Sequence, residues 1–164
     1  MSSYIIIGFS THKKFSILSS LIKCIEGTKF SHVYLKFESK SINRKLIYQA
    51  SGLTVNFCGN DIFYSKNKDI AQFVIPVTEE EKIKILQKCV DLCGKPYGIK
   101  ELFGLGLVKI CAIYGKKIKN PFQDRSRTYI CSELIATILM TIGFTFKDLD
   151  SVSPKDLFNK LSSK

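Results

Sequence analysis

The sequence predicts a single α+β domain in which an antiparallel β-sheet packs against helices. Three observations carry that expectation. The chain has 164 residues, 45% of them hydrophobic and 24% charged, which suits one domain with a sizeable core and argues against disorder. Apart from one helical stretch at 15–25, short apolar strand-like runs recur along the chain as far as Val77. From Thr78 onward the apolar spacing changes to that of helices. No internal repeat, linker or low-complexity tract interrupts 1–164, which therefore reads as one domain.

Tyr4 to Phe9 reads as a buried strand, because it is short, rich in isoleucine and ended by a polar turn. Phe15 to Ile25 has helical spacing, with Phe15, Leu18, Ile22 and Ile25 on one face and Gly27 as its stop. Phe30 to Phe37 is a strand whose alternation puts Val33, Leu35 and Phe37 on one side and His32, Tyr34 and Lys36 on the other. A polar loop, Glu38 to Arg44, leads to a returning strand, Leu46 to Ala50, and strand character recurs at Leu53 to Phe57 and Ala71 to Val77.

Thr78 and Glu81 have the spacing of a capping box, and Ile83, Leu86, Val90 and Cys93 form the expected buried stripe of the helix they open. Gly94-Lys95-Pro96-Tyr97 breaks that helix. Glu101 to Ile113 reads as a further helix weakened by Gly104 and Gly106, and Lys116 to Arg127 as a basic loop. Tyr129 to Ile142 is the strongest helical pattern. Ser153-Pro154, an N-cap followed by proline at the first helical position, opens a last helix ending near Leu161.

The formal net charge is +11, which favours anionic partners such as an acidic polymer or a membrane surface without choosing among them. A solvated basic surface is the stronger reading, because lysine outnumbers arginine and the basic residues are scattered. No helix-turn-helix, zinc finger or RNA-recognition motif is evident, so no specific nucleic-acid partner is expected. The first apolar run is too short for a signal-peptide core, and Leu102 to Tyr114 is too short for a bilayer span of roughly 20 residues. The expectation is a soluble protein made in the cytosol, its later release by lysis or another route left open.

The six cysteines contain no C-x-x-C pair and stand with only two histidines, so free thiols, no metal and no cofactor are expected. Cys131 falls in the first turn of the Tyr129–Ile142 helix, where a helix N-terminus lowers a thiol pKa. A base for such a nucleophile is His32, if its side of the strand faces that helix. In a hairpin pairing His32 with Gln49, Val33 with Tyr48 and Leu35 with Leu46, His32 and Gln49 point the same way. The Gln49 carbonyl then accepts the imidazole N–H. Taken singly, a cysteine is more often a small buried hydrophobe, and a histidine a satisfied core or surface residue.

These residues also carry a family resemblance. Phe30-Ser31-His32-Val33-Tyr34 resembles the "SHV" strand of circularly permuted papain-like enzymes, the YiiX/YaeF-like branch of the NlpC-type cysteine peptidases and amidases. Tyr129-Ile130-Cys131-Ser132-Glu133-Leu134 resembles their "Y-x-C-S-E-L" helix start, with His before Cys as in that branch. Ile47-Tyr48-Gln49-Ala50-Ser51-Gly52 is similar to the strand giving the third, polar residue. That residue is often Glu in the family and is Gln here, which keeps ring orientation and loses the negative charge. Gly94-Lys95-Pro96-Tyr97 is similar to "G-x-P-Y", and Ser153-Pro154-Lys155-Asp156-Leu157 to the closing "S/T-P-x-D-L" segment.

The resemblance spans about Tyr4 to Leu157 and implies a permuted papain-like fold. It implies Cys131 as nucleophile, His32 as base, Gln49 as orienting residue, Tyr97 as substrate-binding residue, and no metal or cofactor. The implied activity is hydrolysis of an amide through an acyl-enzyme, on a cell-wall peptide or related amide. The rival readings are a thiol-dependent lipid esterase or acyltransferase, with the basic loop 116–127 meeting anionic headgroups, and a non-catalytic basic binding module.

Overall fold

The structure is a computed structural model that describes residues 3–39, 42–98, 104, 107–108, 111–112, 114–119, 121 and 128–163. Five strands, β1 (Ser3–His12), β2 (His32–Ser39), β3 (Arg44–Ser51), β4 (Thr54–Gly59) and β5 (Asn67–Val77), form one antiparallel sheet in the order β4-β3-β2-β1-β5. Five α-helices have described bounds, α1 (Ile17–Glu26), α2 (Asn60–Lys66), α3 (Glu79–Leu92), α4 (Cys131–Met140) and α5 (Pro154–Ser162), with a 3-10 turn at Leu149–Ser151. The domain is thus α+β, with an antiparallel sheet and helices.

The near-continuous apolar run of β1 follows from its place between β2 and β5, covered on both faces: Ile5, Ile6 and Ile7 are all buried. Pro76 sits on β5, an edge strand, where its missing N–H breaks no ladder. Ile5, Ile7, Phe9, Val33, Leu35, Phe37, Tyr48 and Ala50 project to one face. There they pack with Ile85 of α3, Leu134, Ile135 and Ile138 of α4, and Leu157 of α5 into the main core. The opposite face holds a smaller cluster of Tyr34, Ile47 and Phe63, the last supplied by α2.

The helix ends obey local chemistry. Thr78 and Glu81 make the expected reciprocal capping box on α3, Ser153 and Asp156 make another on α5, and Gly27 closes α1 in the left-handed conformation (φ 61). The β3–β4 hairpin turns through Gly52 (φ 70) and Leu53, as the first position of a two-residue turn requires.

Three expectations need correction, and one helix had no expectation. The β2–β3 register pairs Leu35 with Tyr48 and Phe37 with Leu46, two residues away from the expected pairing. A shift of two preserves side-chain faces, so His32 and Gln49 still share a side, now diagonally. Phe15 is 86% exposed, because it lies before the Ser16 cap and so outside the helix whose face it was expected to share. On α3 the buried stripe is Ile85, Cys89 and Leu92, whereas Ile83, Val90 and Cys93 are exposed. Both stripes have helical spacing, and contact with the sheet selects between them. Finally, α2 was hidden from periodicity: it has seven residues, and Phe63 is the one that it buries. The Tyr129–Ile142 pattern yields the narrower α4. The expected helix 101–113 and loop 116–127 lie mostly outside the described residues; residues 104, 107, 108, 111 and 112 are helical, and 116–119 are irregular and exposed.

Candidate active site

The candidate site lies where β2 parts from β3. The two strands pair from Leu35↔Tyr48 to Ser39↔Arg44, leaving the first residues of β2 unpaired on that side. Helix α4 begins there with Cys131. Its N-cap, Ile130, makes no side-chain hydrogen bond to the helix start. The backbone N–H groups of Val33, Ser132 and Cys131 itself act on the sulfur in the direction that favours its thiolate.

The peptide leading into Cys131 is fixed by a relay from the β3–β4 hairpin. Tyr97 N–H donates to Leu53 O (2.9 Å) and Val55 N–H to Lys95 O (2.8 Å), so segment 94–97 runs along the hairpin. Tyr129 N–H donates to Pro96 O (3.0 Å) and Gly98 N–H to Tyr129 O (2.9 Å), which couples that segment to the chain entering α4. On the other flank α1 is tied to the start of β2 by the Ser19–Ser31 hydroxyl pair (2.6 Å), and its Ile22 packs on Ile130.

His32 and Gln49 come together as the sequence predicts: His32 Nε2 lies 2.9 Å from Gln49 Oε1. An amide oxygen only accepts, so Nε2 carries the proton and Nδ1 keeps the free lone pair. The amide is oriented in turn by Cys58, whose sulfur accepts from Gln49 Nε2 at 3.4 Å. The His32 ring stacks obliquely on Phe63 (6.3 Å between centroids), which rests on Tyr34 (4.5 Å). Cys58 and Phe63 are contributors that the sequence did not reveal; each depends on a strand register or a short helix that has no periodic signature.

The expected condition that His32 face the Cys131 helix is not met as stated. Helix α4 covers the Val33 face of β2, while His32 alternates to the face carrying Phe63. The backbone N–H of Val33, the residue next to His32, favours the Cys131 thiolate, and no hydrogen bond joins the thiol to the ring. Tyr97 links the two. It lines the same cavity as His32, and its hydroxyl pKa is raised chiefly by burial and further by the charge of the nearby Cys131. That cavity, of about 200 Å³, is walled by Leu18 and Ile22 of α1, Ala50 and Ser51 of β3, Tyr97 and His32.

Electrostatics keep both groups neutral at rest. Burial lowers His32 to about 4, against a smaller upward pull from Gln49. Burial also pushes the Cys131 thiol up, opposed by the three N–H donors and reinforced by the charge of Glu26, a buried residue of α1. The lowered thiol pKa expected from a helix start is therefore overturned by desolvation. Among the described residues no three His, Cys, Asp or Glu side chains gather as metal ligands, and no helix is long and apolar enough to cross a membrane.

A stability test follows from His32. Between pH 6.5 and about 4 the unfolded chain binds a proton at this residue that the folded protein does not. Its contribution is complete above pH 6.5 and falls as pH drops toward 4, by at most about 3 kcal/mol. Urea unfolding across that window, compared with His32→Gln, should show a shallower acid loss in the variant. Parallel curves would mean that the ring is solvated in the folded state.

Compared with known proteins, the chain matches no family model and no curated protein.

Proposed function

We propose that this protein is a cysteine hydrolase of the peptidase or amidase type, built on a circularly permuted papain-like fold. The observation that supports this most is the His32–Gln49 bond. It leaves Nδ1 as the basic nitrogen beside the strand start at which a helix presents Cys131.

With thiol and imidazole both neutral at rest, attack is base-assisted. As the sulfur adds to the substrate carbonyl, its proton passes to His32 Nδ1. The carbonyl oxygen gains charge against N–H donors at the start of α4, which stabilise it without a metal. His32 then returns the proton to the leaving amine, the C–N bond breaks, and the acyl group stays on sulfur. Water, deprotonated by the same ring, releases the acid and restores the thiol. Gln49 holds the ring through both halves, and Tyr97 binds substrate in the cavity that it shares with His32.

Hydrolysis of p-nitroanilides and p-nitrophenyl esters of varied acyl length tests the reading. Wild type is expected to turn over with an acyl-enzyme burst, and Cys131→Ala and Cys131→Ser to lose both while still unfolding cooperatively. Turnover retained in both variants would end the assignment. A second reading keeps these residues and makes the substrate a lipid ester. The apolar side chains standing free around the cavity mouth favour it. A preference for long-chain esters over anilides would select it.

A further inference from the structure

Large apolar side chains stand in solvent around the mouth of the His32 cavity. Phe15 is 86% exposed, Ile17 77% and Leu53 80%. Their placement is not scattered. Ser16, between Phe15 and Ile17, lines the cavity, and so does Gly52, which immediately precedes Leu53. Leu53 is the tip of the β3–β4 hairpin, a position that ordinarily carries a polar turn residue. One turn along α1 from Ile17, Leu21 adds a further exposed apolar side chain.

The described segments that contribute to this rim are basic. Segments 10–25, 46–59 and 93–98, which build the mouth, contain no Asp or Glu and include Lys13, Lys14, Lys23 and Lys95. Lys14 and Lys95 are exposed. Apolar tips on two separate elements, set among lysines, match a surface that is apolar inside and anionic outside. A second copy of the chain is a poorer match, because joining two such rims brings like charges together.

We propose that the rim formed by Phe15, Ile17 and Leu53 docks the protein on an anionic lipid bilayer, with the apolar tips inserted at the headgroup level and the lysines on the phosphates. The docking places the mouth of the His32 cavity against the membrane. It does not require any reaction at Cys131.

Vesicle flotation at physiological salt tests this, using phosphatidylcholine alone and phosphatidylcholine mixed with phosphatidylglycerol. Wild type is expected on the mixed vesicles and not on the neutral ones. The triple variant Phe15→Ser, Ile17→Ser, Leu53→Ser keeps every charge and is expected to lose about tenfold or more in partition. Its melting temperature should stay at the wild-type value, since all three side chains are exposed. Cys131→Ala should float like wild type, which separates docking from catalysis. Equal flotation of the triple variant would reduce the binding to net charge alone and overturn the proposal. So would wild type that ignores both vesicles. A wild-type dimer in ultracentrifugation that the triple variant dissociates would give the rim to a second copy instead.

Discussion

Replacing His32 with alanine is expected to lower kcat/KM near neutral pH by a factor on the order of 10² to 10⁴, the usual worth of a positioned general base. The structure makes the dependence sharper than in a site with a preformed ion pair. Burial raises the Cys131 thiol, so little thiolate exists without a base to take the proton during attack. The defect should therefore shrink as pH rises and solvent ionises the thiol directly. In wild type the acid limb of the profile should fall near pH 4, where His32 protonates, and not near 6.5. Gln49→Leu should cost less than His32→Ala, because it removes the partner on Nε2 and leaves the basic nitrogen in place. Stopped-flow kinetics from pH 4 to 9.5 reads all three effects on the order of magnitude stated. An acid limb near the ordinary histidine value in wild type would show that the ring is not desolvated.

Gly8→Ala is expected to destabilise the fold by about 3 kcal/mol or more, at the upper end of overpacking substitutions. The ring of Tyr34 lies directly on Gly8: a Cβ there would stand 2.0 Å from Cζ and 2.3 Å from the hydroxyl oxygen. The ring cannot easily retreat. Its hydroxyl is 2.8 Å from both Tyr64 Oη and Asp69 Oδ1, and it accepts from Gln72 Nε2 at 2.9 Å. Phe63 presses on it from α2. Because Phe63 also supports His32, the damage should reach the site. Urea titrations of Gly8→Ala, Tyr34→Leu and the double variant form the test. The pair should be clearly non-additive, with the smaller side chain relieving the alanine. Additive losses would place the cost of Gly8→Ala elsewhere.

The parts of this molecule with strong local signatures were legible in the sequence. The isoleucine run of β1, the Thr78–Glu81 capping box, the Ser153–Pro154 helix start and the Gly27 stop are each written in a few adjacent residues, and each appears in place. The shared side of His32 and Gln49 was legible because strand alternation survives a register shift of two. What was not legible depends on tertiary choice. Two apolar stripes compete on α3, and only the sheet decides which one is buried. The seven residues of α2 carry too little pattern to announce a helix, yet Phe63 beneath His32 comes from it. Nor does residue type reveal desolvation. A helix start argues for a reactive thiol, and enclosure of Cys131 at 2% exposure argues the other way and prevails at rest.

In the proposed mechanism Cys131 becomes nucleophilic through His32. The direct measurement is site-resolved acylation by a p-nitrophenyl ester, read by peptide mass spectrometry in wild type and His32→Ala at neutral pH. Cys24 and Cys93, both exposed, serve as internal references. The account predicts that the acyl group collects on buried Cys131 faster than on either reference, and that this advantage disappears in His32→Ala. Acylation of Cys24 or Cys93 ahead of Cys131 in wild type, or an advantage at Cys131 that survives the loss of His32, would contradict it.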